Sequence, residues 1–184
     1  MAYAISKLWF YPLSRPFIRK INGIENIPLE TPFIIAANHE RFLDPCLITY
    51  VILRKLNRKI HFLARPSPWF IPSILERNYA GNIPLLNPGQ AFQDMKDLLK
   101  KREIIGIFPE GERVITPSKN PKTGAVRLAI ETNTPILPIG IKFSFMLFGS
   151  TINIGKLVRL NGNKDVKKQT LNLMKYIYKL KNDL

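Results

Sequence analysis

Residues 33–45 read FIIAANHERFLDP, and this segment is the strongest indication of the fold. Its apolar run, 33–37, is short and uninterrupted, which is typical of a buried strand in an α/β sheet. Asp44 and Pro45 supply a helix cap and a residue suited to the first helical turn. His39 and Asp44 are therefore expected at the carboxyl end of a strand, where open α/β sheets commonly place ligands.

Apolar β-rich runs alternate with helical patterns along the rest of the chain. This alternation predicts one α/β domain with a central, mostly parallel sheet flanked by helices. Strands are predicted at 33–37, 59–64, 104–108, 136–143 and, more weakly, 151–154, and helices at 45–56, 89–101, 124–131 and 165–180. The region 65–87 mixes prolines with apolar bulk, so it is either an irregular core segment or an exposed apolar loop.

Basic residues dominate the charge, with 28 Lys and Arg against 13 Asp and Glu and a formal net charge of +15. Such a surface attracts polyanions, among them nucleic acid, anionic lipid and acidic carrier proteins. Cys46 is the single cysteine, which rules out an intrachain disulfide and gives no sign of an oxidising compartment. Two separated histidines and one cysteine make no ligand cluster, so no metal is expected.

The N-terminal residues 1–21 mix aromatic and aliphatic side chains with basic ones, a composition suited to a membrane interface. Pro12 and Pro16 interrupt the apolar part, which argues against a signal peptide, and an ordinary helix packed on the core is the alternative. The chain has no uncharged apolar stretch long enough to predict a spanning helix. We therefore expect a membrane-associating amphipathic segment at 1–21 and the main domain at 22–184.

His39 is separated from Asp44 by four residues across the predicted turn. The carboxylate can accept a proton from one ring nitrogen, which fixes the tautomer and leaves the other nitrogen as a general base. The alternative is that Asp44 only caps a helix and His39 only ends a strand. His61, the other histidine, falls in the predicted strand 59–64, where a structural role is expected.

A second cluster, FPEGER at 108–113, follows an apolar run. Arg113 offers a planar donor fork suited to phosphate, and Gly111 lets backbone amides approach a ligand closely. Glu110 can accept a hydrogen bond from a hydroxyl or hold the loop in shape. Taken alone, a Pro/Gly/charge cluster after a strand is equally an ordinary turn.

Together these segments resemble a known family. NHERFLDP resembles the signature of the glycerolipid acyltransferases, NH followed by four variable residues and D, and FPEGER resembles their FPEG-x-R block. The segments 122–129 and 134–140 look like two further blocks, in matching order and spacing. The match is to the bacterial type of 1-acyl-sn-glycerol-3-phosphate acyltransferase, and it runs from about residue 22 to the C-terminus.

The resemblance implies roles for individual residues. His39 is the base that deprotonates an acceptor hydroxyl, and Asp44 orients it. The hydroxyl then attacks an acyl thioester directly, without an acyl-enzyme. Glu110 and its neighbours Gly111 and Arg113 correspond to the block associated with binding the glycerol phosphate acceptor.

Further implications concern partners and location. Arg65 stands at a position that looks like a family lysine and is a second expected phosphate contact. The donor is acyl-CoA or an acyl carrier protein thioester, the acceptor a lysophospholipid, and no bound cofactor is needed. The protein is expected on the cytoplasmic face, peripheral or monotopic, on a membrane with anionic lipids, and no nucleic-acid partner is expected.

One departure from the family bears on the acceptor. The second block usually ends in a phosphate-binding arginine, whereas the segment 81–87 ends in Asn87. A different alcohol or lysolipid acceptor is therefore the alternative, unless Arg77 compensates.

Two other classes of protein fit the sequence less well. A serine or cysteine hydrolase would need an activated nucleophile, and the sequence contains no G-x-S-x-G motif. A non-enzymatic binder of nucleic acid or anionic lipid is supported by the net charge alone.

Overall fold

The structure, a computed structural model, describes residues 14–30, 32–65, 82–116, 120–144 and 149–183. The strands are β1 (Ile18–Asn22), β2 (Ile34–Ala37), β3 (Ile60–Ala64), β4 (Ile83–Pro84), β5 (Ile104–Ile107), β6 (Ile136–Ser144) and β7 (Gly149–Ile154), and the α-helices are α1 (Asp44–Leu56), α2 (Pro88–Lys100), α3 (Gly124–Thr132) and α4 (Val166–Asn182). Within these residues, no helix is both long and apolar enough to cross a membrane.

The described strands form one seven-stranded sheet in the order β1-β7-β6-β2-β5-β3-β4. Neighbouring strands run parallel, except for the antiparallel pair of β6 and β7. The predicted fold, a single α/β domain with a mostly parallel sheet flanked by helices, is confirmed. Because β2, β3, β5 and β6 are parallel, their carboxyl ends meet at one edge of the sheet.

Both faces of the sheet are covered. Strand β2 contributes Ile35 and Ala37 to a core shared with α1, and Ile34 and Ala36 to a second core shared with α2, α3 and α4. All four residues of the strand are fully buried. A strand buried on both faces shows a continuous apolar run, which is why 33–37 was recognisable from the sequence.

The start of α1 differs from the prediction. The N-cap residue is Leu43, which makes no side-chain capping bond, and Asp44 is the first helical residue. The Asp44 carboxylate turns back to the backbone N–H groups of Glu40 and Arg41. Asp44 thus organises the loop before the helix, and the interpretation of Asp44 as a helix cap is wrong.

The N-terminal boundary also differs. Strand β1 pairs with β7 in parallel, and Ile18 is buried, so the last residues of the predicted segment 1–21 belong to the sheet. The alternation in β1 is hidden by Arg19 and Lys20, which are exposed on this edge strand. Residues 1–13 lie outside the described residues, as do residues 66–81 of the unassigned region 65–87.

Candidate active site

The loop after β2 is anchored to β6 by Asn38. The buried side-chain amide donates to the carbonyl oxygen of Ile141 over 2.9 Å and accepts from the Ile141 backbone nitrogen over 2.7 Å. The side chain thus continues the pairing of β2 with β6 beyond the end of β2. These two hydrogen bonds fix the point at which the chain leaves the sheet, immediately before His39.

His39 and Asp44 are in direct contact. The Nδ1 atom of His39 lies 3.0 Å from Oδ2 of Asp44, and the same oxygen accepts the backbone N–H groups of Glu40 at 2.8 Å and Arg41 at 2.7 Å. The Asp44 side chain is 3% exposed and the His39 side chain 18%. An ionised carboxylate only accepts, so this contact favours the tautomer with the proton on Nδ1 and leaves the Nε2 lone pair for another proton.

The face of the imidazole is also held. The His39 ring stacks on Phe108, with centroids 4.2 Å apart and planes 20° apart, and Phe108 stacks in turn on Phe62 at 5.7 Å. A Cβ atom at Gly106 would lie 2.4 Å from the Phe62 ring, so only glycine leaves room for this stack. Sequence reasoning missed these aromatic contacts, although Phe108 is the first residue of the FPEGER cluster.

Glu110 holds the backbone of His39. Its Oε2 accepts the His39 backbone N–H over 2.6 Å, and its Oε1 accepts the hydroxyl of Tyr178. Glu110 is 4% exposed, and burial raises the pKa of its carboxyl, against the opposing effect of the hydrogen bonds from Tyr178 and His39. Of its two predicted roles, holding the loop in shape matches this geometry, and contact with a substrate stays a prediction.

The rest of the FPEGER loop is tied to the same place. Val114 donates its backbone N–H to the carbonyl oxygen of His39 over 2.8 Å, so the two motifs are joined on both sides of His39. Gly111 adopts φ +77°, and its N–H closes the turn onto Phe108 rather than pointing to a ligand. Arg113, next to Val114, is exposed beside the His39 loop.

Other predicted residues occupy separate positions. Arg65 follows β3 at the same sheet edge as His39 and is exposed. His61 lies within β3, with Nε2 3.8 Å from the Glu103 carboxylate, which precedes β5 at its amino end. His61 therefore lies toward the amino ends of the strands, away from the edge of the sheet that carries the His39 loop.

Two further observations concern the Cys46 thiol and possible metal ligands. Cys46 lies on α1, and burial, followed by the nearby Asp44 charge, raises the pKa of its thiol, which disfavours a nucleophilic thiolate. Among the described residues, no group of three His, Cys, Asp or Glu side chains is arranged to hold a metal ion.

Asn87 has a structural role at the residue where the resemblance leads one to expect arginine. It is the N-cap of α2, and its side-chain oxygen accepts the backbone N–H groups of Gly89 at 2.9 Å and Gln90 at 3.2 Å. Asparagine is among the best N-cap residues, whereas arginine has no side-chain acceptor for these two N–H groups.

Comparison with known proteins shows similarity to acyltransferases. The profile of the Acyltransferase family matches residues 18–142, more than half of the chain. The chain is 33% identical to a 1-acyl-sn-glycerol-3-phosphate acyltransferase of Bacillus subtilis over 65% of this chain and 60% of that protein. It is 30% identical to one of Borreliella burgdorferi over 65% of this chain and 49% of that protein. The chain therefore spans about half the length of these curated relatives.

The fold also matches a solved structure, the 1-acyl-sn-glycerophosphate acyltransferase of Thermotoga maritima. The TM-score is 0.70 at 21% sequence identity, and the match covers 97% of this chain and 76% of that chain. This is a likeness of fold. The family is shown by the profile match over residues 18–142: the chain belongs to the acyltransferase family.

Proposed function

We propose that this chain is an O-acyltransferase that moves a fatty acyl group from an acyl thioester to 1-acyl-sn-glycerol-3-phosphate, giving phosphatidic acid. The observation that carries the proposal is the 3.0 Å contact between His39 Nδ1 and Asp44 Oδ2. The similarity to proteins named 1-acyl-sn-glycerol-3-phosphate acyltransferase supports this choice of acceptor.

His39 acts as the general base in this mechanism. Asp44 accepts the Nδ1–H, and Nε2 takes the proton of the acceptor hydroxyl as its oxygen bonds to the thioester carbonyl carbon. The tetrahedral intermediate collapses, the carbon–sulfur bond breaks, and the leaving thiolate takes the proton from the imidazolium. The base is thereby regenerated, and the thioester itself supplies the activated acyl group, so no bound cofactor takes part.

Two exposed arginines suit the acceptor phosphate. Arg113 lies beside the His39 loop, and Arg65 follows β3 at the same edge of the sheet. A guanidinium binds phosphate through parallel N–H groups and keeps its charge at every physiological pH. Both are therefore assigned to the acceptor phosphate, with Gly111 shaping the turn that presents Arg113.

The donor and the location follow from charge and lipid chemistry. Acyl-CoA and acyl carrier protein are both acidic, and a chain with a net charge of +15 attracts either of them. A lysophospholipid resides in a bilayer, so the protein is assigned to a membrane with anionic lipids, as a peripheral or monotopic protein of the cytoplasmic face, with residues 1–17, which precede β1, as one contact segment.

A second candidate keeps the reaction and changes the acceptor. Asn87 caps α2 and contributes no positive charge at the position where the family usually carries arginine. An acceptor with a smaller or differently placed anionic group, or an uncharged lysolipid alcohol, then becomes the substrate. The His39 chemistry is the same for any hydroxyl.

The test is an acyl-transfer assay with purified protein. Acyl-CoA and acyl carrier protein thioesters are offered with lysophosphatidic acid, other lysophospholipids and simple long-chain alcohols, and products are identified by mass. We expect phosphatidic acid from the wild type and a loss of about 10²-fold or more in His39→Ala. His61→Gln, which alters the other histidine, is the matched control and should keep its activity.

The results of this assay distinguish the two candidate acceptors and test the mechanism. Transfer only to an acceptor other than lysophosphatidic acid selects the second candidate. Absence of transfer to any acceptor overturns the proposed function, and a folded His39→Ala protein with wild-type turnover overturns the mechanism.

A further inference from the structure

Helix α4 reaches the His39 loop, although it lies beyond the residues 18–142 that match the family profile. Near its end, Tyr178 donates its hydroxyl to Oε1 of Glu110, whose other oxygen accepts the His39 backbone N–H. One turn later, Lys181 donates its Nζ to Oε1 of Glu40, the residue after His39. Two side chains of one helix thus engage both motifs.

The position of this helix end is set by backbone contact. A Cβ atom at Gly140 in β6 would lie 2.4 Å from the backbone nitrogen of Lys181 and 2.7 Å from the carbonyl carbon of Leu180. Asn153 in β7 also donates its side-chain amide to the carbonyl oxygen of Leu180 over 2.7 Å. Because the helix end rests directly on the sheet, Tyr178 and Lys181 are delivered to fixed positions.

The charges around His39 explain why such contacts are needed. Three carboxylates surround it: Asp44 at the ring, Glu110 at the backbone nitrogen, and Glu40 one residue on. Burial raises the pKa of Glu110, and the charge of Glu40 adds to this rise. The Lys181 ammonium neutralises Glu40, and the Tyr178 hydroxyl supplies a hydrogen bond that favours the charged form of Glu110.

We propose that Tyr178 and Lys181 are positioning residues that hold the loop 38–44 so that the His39 imidazole stays aligned for proton transfer. Tyr178 acts through Glu110 on the His39 backbone, and Lys181 acts through Glu40. The proposal rests on the proposed function of His39 as general base. It assigns a part of the active site to the chain beyond the family match.

The kinetic test uses pairs of equivalent substitutions on α4. Tyr178→Phe removes the hydroxyl that meets Glu110, and Tyr176→Phe removes a hydroxyl that meets the backbone nitrogen of Lys156 instead, at 3.1 Å. We expect kcat to fall about tenfold or more in Tyr178→Phe with KM changed less than about twofold, and Tyr176→Phe to stay near wild type. Equal effects of the two variants would overturn the proposal.

Lys181 is tested in the same way and by a double-mutant cycle. Lys181→Met should lower kcat, while Lys179→Met, at an exposed position of the same helix, should not. If Lys181 acts through Glu40, the double variant Glu40→Gln, Lys181→Met should lose no more activity than the more affected single variant. Independent, additive losses would contradict this route.

A measurement without substrate separates this proposal from the proposed function. The His39 amide is donated to Glu110, so its hydrogen exchange reports the positioning directly. Tyr178→Phe should speed the exchange of this amide several-fold, and Tyr176→Phe should leave it unchanged. If the wild type transfers no acyl group, the proposed function fails, and exchange alone decides on the positioning; unchanged exchange in Tyr178→Phe overturns it.

Discussion

One oxygen of Asp44 receives three N–H groups, from the His39 ring and from the backbones of Glu40 and Arg41. The two backbone bonds fix the direction of the carboxylate, so the third approach is aimed at Nδ1. Because the carboxylate is buried, these bonds replace its lost hydration. The short loop therefore supplies the carboxylate that orients the His39 ring.

The first prediction concerns this carboxylate. Asp44→Asn keeps the size of the side chain and an oxygen for the backbone N–H groups, but it removes the charge that stabilises the imidazolium. We expect kcat to fall by about 10²-fold to 10⁴-fold with the fold retained, measured by steady-state kinetics and circular dichroism. Asp94→Asn on α2, where the carboxylate accepts a hydrogen bond from Gln90, is the control, and equal activities of the two variants would refute the role of Asp44.

The second prediction concerns the pH dependence of stability at Glu110. Burial raises the pKa of its carboxyl, and a carboxyl with a higher pKa in the folded chain stabilises the fold only below its titration range. This contribution is lost as pH rises through the raised pKa. Glutamine does not titrate, so the stability of Glu110→Gln relative to wild type should increase as pH rises from about 4 through the raised pKa of Glu110.

Thermal unfolding of both proteins across this pH range measures the effect. Glu25→Gln, an exposed site, controls for the change in net charge. A melting-temperature difference that is independent of pH, or one that falls as pH rises, would contradict the raised pKa of Glu110.

At this scale, the sequence predicts the contact between His39 and Asp44 because both lie in one turn at the end of a buried strand. It cannot predict the contact between Glu110 and Tyr178 or the contact between Glu40 and Lys181, because these partners are 68 and 141 residues apart in the chain. Such pairs arise only when the helix end is placed on the sheet, and no local pattern encodes that placement.

At the scale of elements, the predicted strands and helices agree with the structure to within about two residues wherever apolar periodicity is strong. Helices α1 and α3 are each followed by an asparagine in the left-handed conformation, Asn57 and Asn133, which is a common way to close a helix. The prediction missed β1, which pairs with β7 alone and carries exposed basic residues, and β4, which is two residues long. Edge strands lack the two buried faces that make a strand recognisable.

The third prediction concerns the start of α2. Because Asn87 caps the first turn, Asn87→Ala should lower the free energy of unfolding by about 1 kcal/mol, and Asn87→Asp should keep it. Asn87→Arg restores the residue usual in the family but should cost as much as alanine, since arginine accepts no hydrogen bond. Urea unfolding measures all three, and an arginine variant as stable as wild type would show that the cap is dispensable.

At the scale of the whole molecule, exposed apolar side chains are found on both site loops. Phe42 is 77% exposed within the His39 loop, and Ile115 is 84% exposed next to Val114, which donates to the His39 carbonyl oxygen. Leu29 is 76% exposed but precedes β2, at the opposite edge of the sheet. A bilayer approached by the edge that carries the site would meet Phe42 and Ile115 and would not meet Leu29.

The fourth prediction follows from this arrangement and from the net charge of +15. The protein should bind vesicles that contain anionic lipid, and added salt should weaken binding, since each basic residue near such a surface contributes roughly 1 kcal/mol. Phe42→Ser should reduce partitioning about tenfold or more, because burial of a phenylalanine contributes about 1.5 to 3 kcal/mol. Leu29→Ser removes an equally exposed apolar group and should bind as the wild type does. Vesicle co-sedimentation decides between the edges: if Leu29→Ser weakens binding and Phe42→Ser does not, the site faces away from the bilayer, and a lysophospholipid acceptor would have to leave the membrane to reach His39.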